Sequence, residues 1–272
     1  MNDWKIFGAS VAGKKNKVAG LPCQDAHSYR KINDKWNLIV VSDGAGSHAF
    51  SHFGARLFVR YATNIFMQEK QAFLDRDLDL SWRYKISGIF SKILYKVKKK
   101  AYEMNIRYAE MGGTSLLAFF SDSHLFTAHI GDGRIGYRTT NDEWFAAIEP
   151  MVGEFVGETV FFNFPDIKDL DKYLVTNISK ANKINAVVAL TDGAEGFSWN
   201  CVQEVPDNYH YKDINLPHKP FLNGNIDTLK NKINSLYHRR AIENAWAHYL
   251  ENGMQKIGNE PDDKTIVVAF NN

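Results

Sequence analysis

Two cysteines in 272 residues, Cys23 and Cys201, exclude a disulfide framework and cannot by themselves build a structural zinc site. So few thiols fit a reducing compartment, and the expected location is the cytoplasm. Charge of one sign is also scarce: 33 Lys plus Arg face 31 Asp plus Glu, a net +2. A chain so balanced, with no polybasic tail, has no field that favours nucleic acid. No apolar run approaches the ~20 residues of a membrane span, and Met1 to Ser10 lacks the apolar core of a signal peptide. Neither a nucleic-acid nor a membrane partner is expected. Internal repeats and low-complexity tracts are missing as well.

What is present is an ordinary globular composition, 44% hydrophobic and 24% charged, in a length that suits one large domain. Trp4 to Val11 and Trp36 to Ser42 read as strands, the second ending in the near-continuous apolar run of a strand buried on both faces. Helical spacing of apolar residues predicts helices over Ser47 to Gln68 and Trp82 to Met104. From Gly113 the period shortens. Thr114 to Ser121, His124 to Ile130, Arg134 to Thr140 and Trp144 to Ile148 are separated by turn residues and read as a β-meander. Thr159 to Phe164, Ala186 to Thr191 and Thr265 to Phe270 add strands; Asp227 to Leu236 and Arg239 to Asn252 add helices. Pro206 to Asn225, rich in Asn, Pro, His and Gly, reads as a surface loop. The expected class is α+β, a single domain over residues 1–272 with a loop or helical insertion around 198–255.

Four short aspartate segments carry the chemistry: Ser42-Asp43-Gly44-Ala45-Gly46, Gly131-Asp132-Gly133-Arg134, Thr191-Asp192-Gly193 and Asp262-Asp263-Lys264-Thr265. Each sets a carboxylate at the end or start of an apolar run. Any one Asp-Gly is most simply a turn, whose glycine lets the backbone approach a neighbour closely. Several strand-end carboxylates gathered in one place repel one another, and hard divalent cations are the usual way to offset that.

The ordered set resembles the PPM-type (type 2C) metal-dependent protein serine/threonine phosphatases, from about Gly8 to Phe270. Gln24-Asp25, Asp43-Gly44, Gly112-Gly113-Thr114-Ser115, Gly131-Asp132-Gly133-Arg134, Thr191-Asp192-Gly193 and Asp262-Asp263-Lys264-Thr265 match the family motifs in order. A bacterial branch is similar again through Gly8 to Gly13, Pro22 to Ala26, Gly44 to Ser47 and Gly153 to Phe161. The resemblance implies a four-layer α-β-β-α sandwich of two antiparallel sheets flanked by helices. It also implies two Mn²⁺ or Mg²⁺ ions, with a third, weaker metal in some members. Asp43 would bridge the two metals and the Gly44 carbonyl would bind one; Asp192 and Asp262 would bind the other. Asp132 with Asp192 would hold the third metal, and Asp25 would orient a water. The implied activity is hydrolysis of phosphoserine and phosphothreonine in proteins by a metal-bridging water, opposing a cognate bacterial Ser/Thr kinase.

Two departures stand out. Where many members carry a phosphate-gripping arginine, this chain has Gly20. Lys14, Lys15 and Lys17 are the candidate replacements, with Lys17 the nearest to the motif, although lysine lacks the guanidinium fork. Ala45 stands where some members carry a histidine, with His48 and His52 nearby. These departures sustain the alternative, a catalytically weak domain that binds a phosphoprotein or regulates a partner. The plainer readings are a packed His27, a structural Cys23 thiol and a solvated lysine face at Lys96 to Lys100; Gln24, Glu154 and Glu158 stay open between structural and functional roles.

Overall fold

In the computed structural model, residues 3–75, 77–151, 159–164, 169–204, 211–235 and 238–271 are described. Two five-stranded antiparallel sheets form the centre. The first runs β1(Lys5–Val11), β12(Lys264–Phe270), β9(Ile184–Leu190), β6(Arg134–Thr139), β7(Trp144–Ala146). The second runs β2(Ala26–Lys31), β3(Asn37–Ser42), β4(Ser115–Phe120), β5(His124–Ile130), β8(Val175–Lys180). Alternation along each strand sorts side chains between faces. Ile39 and Val41 of β3 meet Val267 and Ala269 of β12 between the sheets, while Leu38 and Val40 face outward under helices. Those helices are α2(Ser51–Gln68) and α3(Leu78–Glu103). After the short helices α4(Leu170–Tyr173) and α5(Glu195–Ser198), α6(Lys219–Asn234) and α7(Arg239–Asn252) cover Phe7, Val188 and Val268 on the other outer face. The four layers are therefore helix, sheet, sheet, helix, as the resemblance implies.

Several sequence expectations need correction. The run from Thr114 to Ile148 is not one meander: β4 and β5 pair in one sheet, and the chain then crosses at Gly131-Asp132-Gly133 to place β6 in the other. Gly131 turns that corner at φ +106, which side-chain-bearing residues rarely adopt. Thr159 to Phe164 forms no strand; Phe162 is buried and its N–H reaches the Gly113 carbonyl at 2.8 Å. Nor is Pro206 to Asn225 a loop throughout. A hairpin of β10(Trp199–Glu204) and β11(Tyr211–Pro217) precedes α6, which has Pro220 in its first turn, where the missing N–H costs no helical bond. Strands β2 and β8 and the short helix α1(Lys14–Val18) carried no clear periodicity. Each is polar on at least one side, as sheet-edge and surface elements are.

Candidate active site

All four aspartate segments and Gln24-Asp25 arrive at the same end of the two sheets. Asp43 follows β3, whose six residues are all buried. Its backbone is clamped by the segment before β4: Thr114 N–H donates to the Asp43 carbonyl at 2.8 Å, and Asp43 N–H donates to Thr114 Oγ1 at 3.1 Å. Gly44 and Gly113 form an isolated bridge there. A Cβ on Gly113 would fall 2.4 Å from the Asp43 carbonyl oxygen, and one on Gly44 would fall 2.6 Å from the Gln24 carbonyl. Both glycines are therefore required by close backbone approach. The bridge uses Asp43 O and Ala45 N and leaves the Gly44 carbonyl without a hydrogen-bond partner among the described residues.

Asp192 stands in the turn after β9, and its carboxylate accepts the Gly193 N–H at 2.6 Å. Asp25 lies beneath it, buried, with Oδ2 accepting from Thr191 Oγ1 at 2.8 Å and Oδ1 left without a partner among the described residues. Asp262 precedes β12 and accepts the Asp263 N–H at 2.9 Å. Asp132, after β5, accepts from the Thr159 hydroxyl. Their electrostatics are coupled. Asp43 is only partly covered, yet protein crowds it enough that burial pushes its carboxyl well above the ordinary range, and the facing Asp25 and Asp192 push further. Burial, then the charges of Asp263 and Asp192, does the same at Asp25. Burial and Asp192 raise Asp132 to about 6 and also raise Asp262.

Such groups fit a hard divalent cation. The donors are all oxygen, one buried carboxylate oxygen is unpartnered, and the site disfavours its own negative charge. Among the described residues, no three His, Cys, Asp or Glu side chains yet surround one point at metal-ligand spacing. Asp192 instead faces Asp43 closely enough that its charge helps to raise the Asp43 carboxyl.

The lysine candidates separate. Backbone bonds dock α1 on Glu260 and Pro261, with Lys14 N to Glu260 O at 2.9 Å and Lys15 N to Pro261 O at 3.0 Å. The Lys17 ammonium pairs with Glu251 at 2.9 Å, and Lys14 Nζ donates to Asn259 Oδ1 at 3.1 Å. Lys15 is exposed and has no side-chain partner among the described residues. Gly20 has a local cause. It closes α1 at φ +67, with Gly20 N–H to Lys17 O and Leu21 N–H to Asn16 O, the pairing of a Schellman end. An arginine there would be strained.

Sequence reasoning missed two residues. Asp263 is buried and accepts from Gly13 N at 2.7 Å and Asn16 Nδ2 at 2.9 Å, tying the α1 loop to β12. The Asp-Asp doublet was its only signal. Arg56, exposed on α2, stands close enough to Cys23 and His52 to act on both electrostatically, and it makes no ion pair among the described residues. Gln24 takes a structural part, its amide donating to Ser51 Oγ at 2.8 Å and accepting from Asn16 at 3.2 Å. Burial raises the Cys23 thiol, which is therefore not a reactive thiolate. His27 packs against Ser10, Nδ1 to Oγ at 2.8 Å. Lys100 pairs with Glu103 on the exposed face of α3. Glu154 and Glu158 lie outside the described residues.

Two packed antiparallel sheets, helices on both outer faces and carboxylates at one end define a four-layer α-β-β-α sandwich with an acidic end. Residues 12–250 match the family model described as protein phosphatase 2C. The serine/threonine phosphatase Stp1 from Staphylococcus aureus is similar in structure, with TM-score 0.58, 15% identity, and 99% of this chain and 95% of that one covered. PppA, a regulatory component of the type VI secretion system in Pseudomonas aeruginosa, aligns at TM-score 0.59 and 16% identity, covering 99% and 98%. RsbX in complex with magnesium aligns at TM-score 0.51 and 13% identity over 100% of both chains. At such low identities the structural likeness shows a shared fold alone. No curated protein matches the sequence at a significant level. The chain belongs to the protein phosphatase 2C family of metal-dependent serine/threonine phosphatases. No helix among the described residues is long and apolar enough to cross a membrane.

Proposed function

We propose that the protein hydrolyses phosphoserine and phosphothreonine esters in proteins, the product of a Ser/Thr kinase, with divalent cations held by Asp43, the Gly44 carbonyl, Asp192 and Asp262. Asp132 with Asp192 offers a further, weaker position. One observation carries the reading: the convergence of Asp25, Asp43, Asp132, Asp192 and Asp262, from separate elements, on one end of the sandwich. When bound, two such cations lower the pKa of a water and offset charge on the phosphoryl oxygens. The protein's own part is positional. Thr191 holds one oxygen of Asp25, so the unpartnered Oδ1 is the atom left to accept a hydrogen bond from water and to turn it toward phosphorus. Asp263 and Asn16 fix the loop that carries Gln24-Asp25. We assign the substrate phosphate to Lys15 and Arg56, since Lys17 and Lys14 are engaged elsewhere. The whole chain acts as one phosphatase unit, with 198–255 as an addition on its outer face.

The test is turnover of a phosphothreonine peptide with Mn²⁺, with EDTA, and with Asp43→Asn. Metal-dependent release of phosphate that Asp43→Asn abolishes supports the proposal. Tight phosphopeptide binding without turnover in any metal favours the weak-catalyst alternative, which Gly20 and the Lys17–Glu251 pair keep open.

A further inference from the structure

At the end of the sandwich away from the acidic cluster, a groove of about 650 Å³ opens beside the edge strands β1 and β2. That volume lies within the usual ~300–1,000 Å³ of small-ligand pockets. Its charge is lopsided: among the described residues, Lys5, Arg30, Lys31 and Arg239 line it against a single acid, Asp3. Not all of these cations are free. Arg239 is spent on Glu243, the Tyr29 hydroxyl and the Ile6 carbonyl. Lys5 pairs with Asp3. Lys31 reaches Asp34 only at 3.4 Å, with Asp34 85% exposed, a pair too open to resist exchange. Arg30 donates one N–H to its neighbour's carbonyl, Tyr29 O, and pairs with no carboxylate among the described residues.

An independent observation lies in the same groove. Asn37 is 1% exposed and Trp4 6%, both line the groove, and among the described residues neither finds a partner for its side-chain polar atoms: Asn37 Nδ2, Asn37 Oδ1 and Trp4 Nε1. They stand together, because Trp4 packs edge-on to Phe120 with ring centroids 4.9 Å apart, and Phe120 is the ladder partner of Asn37. Asn271, just past β12 whose Phe270 pairs with Lys5, adds another unpartnered buried amide at this end. A buried donor left unmade is costly, so groups like these are normally met by something. Indole and amide N–H groups call for an acceptor, and Arg30 and Lys31 call for a negative one.

We propose that this groove is a binding site for a small anion carrying a phosphate or carboxylate group, held by Arg30 and Lys31 at the rim and by the Trp4 indole and the Asn37 amide at the floor. The site is separate from the acidic cluster and does not depend on the activity proposed above. It is joined to that cluster by a hydrogen-bond chain. His27, on the groove wall, meets Ser10 Oγ; Thr265 Oγ1 donates to Ser10 Oγ at 2.6 Å; Thr265 N–H donates to Thr191 Oγ1, which in turn donates to Asp25.

The indole N–H of Trp4 is the reporter. The full ¹⁵N-labelled chain, saturated with Mg²⁺, is titrated with sodium phosphate and separately with sodium citrate. The Trp4 resonance is assigned from Trp4→Phe. A saturable shift of that resonance is expected, with a dissociation constant at or below about 1 mM. Phosphate alone acting would make the ligand a phosphate ester; citrate alone would make it a carboxylate. Arg30→Ala with Lys31→Ala, both at exposed positions, should weaken binding about tenfold, whereas Asp43→Asn should leave it unchanged. The proposal is overturned if neither anion gives a saturable shift, or if sodium chloride at matched ionic strength reproduces it. It is equally overturned if the double variant binds as the wild type does, or if Asp43→Asn abolishes the shift.

Discussion

The same three strands, β1, β2 and β3, run between two chemically opposite ends. At one end they deliver Asp25 and Asp43 into a cluster of acids in which the carboxyl groups of Asp25, Asp43, Asp132 and Asp262 are pushed upward. At the other they present cations above neutral polar groups that lack partners among the described residues. Six or seven residues at ~3.3 Å each keep the ends about 20 Å apart. That is twice the ~10 Å screening length at 0.1 M salt, so neither end neutralises the other. The apolar strand interiors, with Ile39, Val41 and Val267 fully buried, act as rigid spacers. The acidic end is unsatisfied because its charges agree, the basic end because its dipoles and cations lack an acceptor. Each calls for a ligand of opposite sign.

The strongest way to break this comparison is at Asp43. Asp43→Asn should lower kcat on a phosphopeptide at least about a thousandfold, roughly 4 kcal/mol of barrier. The metal-free variant should be as stable as the wild type or more so, because a crowded charge is gone. Activity within a few-fold of wild type at saturating Mn²⁺, or a lower urea midpoint without metal, would contradict the assignment.

Metal removal sharpens the same contrast. EDTA should abolish turnover, and Mn²⁺ or Mg²⁺ should restore it. A cation at a hundred times its dissociation constant should stabilise the fold by about 2.7 kcal/mol. Urea titrations with and without metal read this directly, and Asp43→Asn should show little of the gain.

Acid acts on the strand between the two ends. Burial lowers the His27 imidazole from 6.5 to about 4. The unfolded chain therefore takes up this proton below pH 6.5 while the folded one refuses it. Stability is full above about 6.5, falls as pH drops, and levels off below about 4. Between pH 7 and 5 the loss from His27 is about 2 kcal/mol. Asp132, raised to about 6, works in the opposite sense in metal-free protein, since its folded form gains the proton first. The difference between wild type and His27→Gln isolates the histidine: the variant should lose about 2 kcal/mol less over that range. Parallel midpoint-versus-pH curves for the two proteins would rule this out.

The smallest effect is at the phosphate. Lys15→Ala or Arg56→Ala should raise KM for a phosphopeptide about tenfold, near 1.4 kcal/mol, with kcat little changed. Lys17→Ala should leave KM within about twofold, because its ammonium already pairs with Glu251. A larger effect at Lys17 than at the other two would reverse the assignment.

Much of this was legible beforehand for particular reasons. Leu38 to Ser42 announces a strand buried on both faces, and Asp43-Gly44 announces its turn, since both signals are local. The glycine pair Gly112-Gly113 reads as a motif in sequence, but its cause, the clamp on the Asp43 backbone, is visible only in three dimensions. Strands β2 and β8 were illegible because edge strands carry mixed polarity. The split of the supposed meander was illegible because turn chemistry does not say which sheet receives the next strand. Lys17 seemed the natural phosphate cation by distance along the chain, yet the fold sets α7 beside α1 and Glu251 takes its charge.

By itself the sequence determined which residues carry charge at strand ends, where apolar runs must be buried, and which glycines permit close backbone approach. These are properties of residues and their immediate neighbours. Tertiary structure alone decided that the aspartates meet at one end, that Asp263 ties the α1 loop to β12, and that Trp4 and Asn37 share a floor at the other. Such outcomes depend on the pairing of strands distant in sequence, as in the register that sets Lys5 against Phe270 and Val11 against Lys264. A register of that kind is chosen by the packing of both sheets at once, which no short window of residues encodes.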